Sequence, residues 1–193
     1  MNIIALAGGI GAGKSMVSRM LRAMGYEVYD TDSAARRIMD SSSEIKQFLQ
    51  EKISPDAVND MGVINRAAVA AVVFSDAERL AMLNEVVHSA VRADMRAWAK
   101  TCGDAMFVES AIAVGSGLAD EVDAIWEVSA PEDLRIKRIC MRGSGMTPAQ
   151  ALARIDAQRA ELSAVGKLRT VELINDNATP LLPQLEAALR TVR

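Results

Sequence analysis

Residues 8–15 read GGIGAGKS and directly follow a short apolar run, IIALA, at residues 3–7. The eight residues match the pattern GxxxxGK[ST], in which glycines let backbone N–H groups converge on an anion. From Lys14 to Met24, polar and apolar residues follow a helical period. We therefore predict a strand, a phosphate-binding loop and a helix, whose N-terminus contributes partial positive charge at the loop.

The side chains of this loop indicate an ATP site. Lys14 can reach the β and γ phosphates of ATP, and the hydroxyl of Ser15 is in the position of this motif that binds Mg²⁺. A loop that binds a dinucleotide would instead need the pattern GxGxxG. When this pattern starts at Gly9, its last glycine falls on Lys14, so a nicotinamide site is excluded. The residues of this stretch that we expect to bind ATP are Gly9, Gly11, Ala12, Gly13, Lys14, Ser15 and Met16.

Four more short apolar runs are predicted strands: Tyr26–Tyr29, Ala105–Glu109, Val122–Val128 and Val171–Asn175. Helical sequence precedes the last three, and alternation of this kind is typical of a parallel sheet with helices on both faces. We expect an α/β fold of the P-loop NTPase type, a parallel five-stranded sheet flanked by helices, in one domain over residues 1–193. Its core would comprise residues 1–32, 101–141 and 167–193.

Two stretches interrupt the alternation. Residues 33–100 contain three or four helical patterns without a strand, and they predict an all-helical insertion. Residues 142–166 begin with a flexible Gly143-Ser144-Gly145 joint and continue with Thr147-Pro148, an N-cap followed by proline at the first helical position. This second stretch predicts a hinged helical lid.

The composition favours small-molecule chemistry. The formal net charge is -3, whereas a broad nucleic-acid surface usually needs a basic surplus, so no nucleic-acid partner is expected. The longest uncharged stretch, residues 1–13, is shorter than the ~20 apolar residues that span a bilayer, so no membrane contact is expected. No basic segment precedes it, which argues against a signal peptide. Cys102 and Cys140 do not form a paired metal-ligand pattern, and a reducing cytoplasm is the simplest location for the chain. The oligomeric state stays open.

Carboxylates follow the second and third predicted strands. Asp30 and Asp32 are two residues apart, and the strand period of two would place both side chains on one face. Such a pair at the carboxyl edge of a parallel sheet suits a general base, while the alternative is an Asx turn or the N-cap of the next helix. Glu109 could hold magnesium or its water, or could simply be exposed.

Three arginines have helical spacing before the glycine joint. Arg135, Arg138 and Arg142 are related as i, i+3 and i+7, so they share one helix face. A solvated basic face is one interpretation. Their position just before the joint favours the other, in which Arg138 and Arg142 turn toward the phosphates.

Motifs along nearly the whole chain resemble those of the dephospho-coenzyme A kinase family. They are LAGGIGAGKS, YDTD with Ala35-Arg36, Asn65-Arg66 with Phe74, Leu83-Asn84 with His88, then Arg138, Arg142 and Gln158, and LIND ending in Asp176. The resemblance implies a P-loop kinase that uses ATP and Mg²⁺ to phosphorylate the ribose 3′-hydroxyl of dephospho-CoA. It also implies that the helical insertion binds this acceptor.

The resemblance implies individual roles as well. Asp32 would accept the 3′-hydroxyl proton, and Arg36 and His88 would face the acceptor. Arg142 would lie over the phosphates, so that Asp32, Lys14 and Arg142 form the catalytic set. Arg138 and Asn175 would belong to the ATP site, with Asn175 near the adenine. For His88, whose helical neighbours are polar, an ordinary surface position is the alternative.

The chain departs from the family pattern at Ser89, Gly115, Gly143 and Arg169. Ser89 replaces a proline, so the helix that carries His88 is predicted to continue. Two other functions stay open: a P-loop kinase for another small acceptor such as a nucleoside monophosphate, and a nucleotide-binding module that has lost catalysis. The intact Lys14, Ser15 and Asp32 favour an active enzyme.

Overall fold

The computed structural model describes residues 2–110, 117–142, 145–162 and 169–192. Its sheet has five parallel strands in the order β2-β3-β1-β4-β5. The strands are β1 Asn2–Ala7, β2 Glu27–Asp30, β3 Ala105–Glu109, β4 Ala124–Ser129 and β5 Arg169–Ile174. The predicted α/β class and the parallel five-stranded sheet are confirmed.

The helices lie before, between and after the strands and are most numerous in the predicted insertion. They are α1 Lys14–Ala23, α2 Thr31–Ser41, α3 Ser43–Phe48, α4 Arg66–Val73, α5 Ala77–Ala99, α6 Glu132–Met141, α7 Pro148–Leu162 and α8 Leu181–Leu189. Shorter helical turns cover Leu49–Ile53, Pro55–Ala57 and Leu118–Glu121. None of the helices in the described ranges is both long enough and apolar enough to cross a membrane.

Helices α1 and α8 cover one face of the sheet with apolar side chains. Every second residue of the inner strands points to this face, including Leu6, Phe107 and Trp126, each at most 1% exposed. Leu21 from α1 and Leu185 from α8 pack on them, and both are fully buried. This packing fixes α1 against the sheet, so the loop before α1 is held at the carboxyl end of β1.

Gly25 is a helix-terminating glycine between α1 and β2. It has φ +87°, its N–H donates to the carbonyl of Arg22 at 3.1 Å, and the N–H of Tyr26 donates to Leu21 at 3.0 Å. This bonding satisfies the last carbonyls of α1 and turns the chain into β2.

The chain divides into two compact units, Met1–Asp30 with Ala99–Arg193, and Thr31–Trp98. In the second unit, Arg37 on α2 pairs with Asp94 on α5 at 2.6 Å. Helix α5 continues through Ser89 without a break, as the missing proline predicted.

Helix α7 begins where Thr147-Pro148 predicted. The side-chain oxygen of Thr147 accepts from the N–H of Gln150 at 3.3 Å, and Gln150 Oε1 accepts from the N–H of Thr147 at 2.9 Å. This reciprocal pair is a capping box, which satisfies backbone donors at the start of a helix. Gly143 and Ser144 of the predicted joint lie outside the described residues, as does Gly115.

Candidate active site

The loop GGIGAGKS forms a closed turn between β1 and α1. The N–H of Ala12 donates to the carbonyl of Gly9 at 3.0 Å, which closes the turn. Gly13, the residue before α1, has φ +106°, and a Cβ there would collide with the side-chain nitrogen of Asn175. Only glycine fits this position without strain. The loop therefore keeps its backbone N–H groups close to the start of α1.

Lys14 and Ser15 occupy the first turn of α1. The ammonium of Lys14 donates to the carbonyl of Gly8, so the side chain folds back over the loop. Ser15 is exposed at the helix N-terminus. A cation and a helix N-terminus at one place form an anion-binding site.

Arg138 and Asn175 tie the loop to two other segments. Nη1 of Arg138 donates to the carbonyls of Gly11 and Ala12 at 3.3 and 3.2 Å, and Nη2 donates to the carbonyl of Asn175 at 3.0 Å. Nη2 also donates to Oδ1 of Asn177 at 2.8 Å, while the amide of Asn175 donates to Ala12 at 2.8 Å. Arg138 is half-buried and bonded to the loop, so it does not belong to a fully solvated basic face.

Arg135 also contacts the loop, although the sequence did not place it in the ATP site. Its Nε donates to the carbonyl of Ile10 at 2.9 Å, and its guanidinium lies where a Cβ of Gly9 would be. Burial and the positive charge of Arg159 lower the pKa of Arg135, while Glu132 raises it. The signal available in the sequence was its spacing of three residues from Arg138.

A cavity of about 340 Å³ opens beside the loop at the carboxyl end of β4. Gly9, Ser129, Ile155 and the two arginines Arg135 and Arg159 are among its lining residues. A larger cavity of about 890 Å³ lies at the amino ends of the strands. Ligands of open parallel sheets bind at the carboxyl ends of strands, so we assign the site to the loop side.

Arg142 follows α6 as its C-cap and is exposed. It lies one turn beyond Arg138, about 6 Å farther along the helix axis. Within the described ranges, no hydrogen bond joins its side chain to the loop. Its place over the phosphates stays a prediction.

The carboxylates are arranged differently from the prediction. Strand β2 ends at Asp30 and α2 begins at Thr31, so Asp32 lies in the first turn of a helix. The strand period, from which a common face with Asp30 was predicted, therefore does not apply to Asp32. The physical reason is that an acidic side chain in the first helical turn is stabilised by the helix dipole.

Asp30 instead shares a face with Glu109. The two are register partners in neighbouring strands, and Glu109 is also the partner of Leu6 in β1. Partners in a parallel sheet point to the same side, and the Leu6 side is the one that α1 covers. Both carboxylates therefore lie on the α1 face of the sheet, at the end where α1 presents Ser15.

In the unit Thr31–Trp98, Asp32 and Arg36 are both exposed and lie four residues apart on α2. Residues at this spacing share a helix face. His88 is half-buried on α5, and burial lowers its pKa; Arg92 lowers it further, while Glu85 raises it. His88 is therefore mainly neutral at neutral pH.

The sequence model of the family described as dephospho-CoA kinase matches residues 2–181. The chain belongs to the dephospho-CoA kinase family. The members of this family are phosphotransferases that act on a hydroxyl group.

Individual relatives and solved structures match along most of the chain. A dephospho-CoA kinase from Deinococcus radiodurans is 40% identical over 194 residues, covering 97% of this chain and 90% of that protein. The solved structure of TT1252 from Thermus thermophilus has 34% identity and a TM-score of 0.78, and the match covers 99% of this chain and 95% of that one. Dephospho-CoA kinase from Campylobacter jejuni has a TM-score of 0.67 at 20% identity, over 99% and 95% of the two chains, so it supports the fold.

Proposed function

We propose that the chain transfers the γ-phosphoryl group of ATP to the ribose 3′-hydroxyl of dephospho-CoA, which gives coenzyme A and ADP. The observation that carries this proposal is the family match over residues 2–181, which includes the intact loop GGIGAGKS. The other two candidates, a nucleoside monophosphate kinase and a module without catalysis, are not favoured by this match.

The ATP half of the site works mainly by positioning and charge. Backbone N–H groups of the loop other than that of Ile10, together with the ammonium of Lys14, would stabilise the negative charge on the phosphates. Arg138 would hold the loop in shape through its bonds to Gly11 and Ala12. Asn175, one residue after β5, would border the adenine.

Magnesium fits the residues at this edge of the sheet. The hydroxyl of Ser15 and the carboxylates of Asp30 and Glu109 are oxygen donors of the kind that Mg²⁺ prefers. We propose that Ser15 binds the ion directly and Glu109 through water. No cluster of three or more His, Cys, Asp or Glu suited to a metal occurs in the described parts of the chain, which is compatible with Mg²⁺ because it keeps several waters. When bound, the ion would neutralise charge on the β and γ phosphates.

The acceptor half would come from the unit Thr31–Trp98. We propose that Asp32 accepts the proton of the 3′-hydroxyl as the phosphoryl group is transferred, and that Arg36 and His88 bind the acceptor. A neutral His88 could both donate and accept hydrogen bonds. Residues 142–166 would form the lid, with Arg142 over the phosphates. A cytoplasmic location is proposed because Cys102 and Cys140 form no disulfide.

The decisive experiment compares acceptors. The purified chain would be incubated with ATP and Mg²⁺, and with either dephospho-CoA or each of a panel of nucleoside monophosphates, and the products identified by mass. We expect phosphorylation of dephospho-CoA alone. A Lys14→Ala protein purified in parallel controls for contaminating kinases. Phosphorylation of a nucleoside monophosphate in preference to dephospho-CoA, or of no acceptor, would refute the proposal.

A further inference from the structure

Ile10, the third residue of the phosphate loop, is held from three directions. Its N–H donates to Oε1 of Gln158 on α7 at 2.6 Å. Its carbonyl accepts from Nε of Arg135 on α6 at 2.9 Å. Its side chain packs against the buried cluster that joins the two helices, Ile139, Ala151 and Ile155.

These contacts matter because the loop is rich in glycine. Four of its eight residues are glycines, which lose more conformational entropy on ordering than other residues. A loop that is ordered before ATP arrives binds more tightly, because the cost of ordering is not deducted from the binding free energy. Both backbone polar groups of Ile10 have protein partners, and both partners come from helices after β4.

We propose that Gln158 and Arg135 are positioning residues that hold the phosphate loop in its anion-binding conformation through Ile10. The inference rests on the proposed function for its link to phosphoryl transfer. Gln158 uses the N–H of Ile10, so this donor orders the loop instead of serving a phosphate. Because the contact joins α7 to the loop, binding of ATP and attachment of α7 favour each other by thermodynamic reciprocity.

The test replaces Gln158 with leucine, which has a similar size but offers no acceptor. We expect faster hydrogen exchange at the Ile10 amide in the nucleotide-free protein. The Kd for a non-hydrolysable ATP analogue should rise about 3- to 10-fold, the equivalent of one hydrogen bond. The KM for dephospho-CoA should stay near the parental value. Gln158→Glu keeps an acceptor oxygen and should return the exchange of Ile10 toward the parental rate.

Two further variants keep the test decisive. Arg154→Leu makes a comparable change at an exposed position of α7 and should leave exchange, affinity and turnover unchanged. Arg135→Met removes the second bond to Ile10 and should also speed hydrogen exchange in the loop. This variant tests the inference if Gln158→Leu does not fold. Parental exchange and parental ATP affinity in a folded Gln158→Leu or Arg135→Met protein would overturn the inference. If exchange and affinity change as expected but the parent does not phosphorylate dephospho-CoA, the proposed function fails and the positioning role stands.

Discussion

Replacing Arg138 with methionine should loosen the phosphate loop and weaken ATP binding. The guanidinium donates to the carbonyls of Gly11, Ala12 and Asn175 and to the side chain of Asn177. Methionine keeps much of the apolar stem but cannot donate a hydrogen bond. The substitution therefore removes the guanidinium that links the loop to α6 and to the segment after β5, without emptying the space between them. The bonds from Arg135 to Ile10 and from Asn175 to Ala12 remain.

The size of the effect follows from these contacts. Nη1 donates to two carbonyls at 3.3 and 3.2 Å and counts as about one bond. Nη2 donates to the carbonyl of Asn175 at 3.0 Å and to Oδ1 of Asn177 at 2.8 Å, with a longer contact to Oδ1 of Asn175 at 3.3 Å, and counts as about two bonds. Hydrogen bonds to charged groups contribute about 1.5–3 kcal/mol each, but Arg138 is half-buried and water replaces part of each bond. We expect the free energy of unfolding to fall by about 2–4 kcal/mol and Tm by roughly 4–16 °C. If 1.4 kcal/mol of this loss is transferred to binding, the Kd for ATP rises about tenfold.

Urea unfolding and calorimetric titration with an ATP analogue measure the two quantities. Lys137→Met is the matched control, because Lys137 is the exposed neighbour of Arg138 on α6 and the same charge is lost. Arg138→Lys keeps the charge but not the forked donors, so its losses should be intermediate. If Arg138→Met and Lys137→Met lose equal stability and both bind ATP with parental affinity, the loop does not depend on this guanidinium.

Three more predictions concern the reaction and its pH dependence. Lys14→Ala should slow turnover at least about 100-fold and leave thermal unfolding near the parental midpoint, because Lys14 acts on phosphate charge; near-normal turnover would remove it from the mechanism. Asp32→Asn should lower the single-turnover rate by about 10²- to 10⁴-fold with little change in ATP affinity, whereas Asp30→Asn should lower this rate less. If Asp30→Asn lowers the rate more than Asp32→Asn does, Asp30 is the base. The pKa of His88 is lowered from 6.5 in the folded protein, so the unfolded chain binds more protons as the pH falls below 6.5. The parent should therefore lose stability relative to His88→Gln as the pH falls through the folded-state pKa of His88. Denaturant titrations across this range check it, and a difference that stays constant with pH would contradict it.

Much of the sheet could be predicted because buried parallel strands are short apolar runs between turns. All five predicted strands exist, and each boundary lies within two residues of the prediction. Strand β4 begins at Ala124 instead of Val122, because Leu118–Glu121 forms a helical turn and Asp123 exchanges hydrogen bonds with Ile3 at 2.8 Å. Such details depend on partners far along the chain, which an apolar run does not specify.

The loop could be predicted, but the side chains around it could not. Helical spacing indicates that Arg135 and Arg138 share a face of α6, but it does not indicate which part of the protein that face contacts. The fold places the phosphate loop against it. Gln158 and Ile10 are 148 residues apart, so no local pattern joins them. Asp32 was misplaced because β2 continues into α2 without a connecting turn, and a carboxylate after a strand fits either element.

The capping box of Thr147 and Gln150 determines how α7 can move. Both of its bonds lie within four residues, so the first turn of α7 needs no partner from the rest of the protein. If α7 separates from α6, the helix is expected to travel as a rigid rod instead of unravelling from its start. Opening then requires that Ala151 and Ile155 are uncovered, that the bond from Ile10 to Gln158 is broken, and that the ion pair between Arg159 on α7 and Glu132 on α6 is separated.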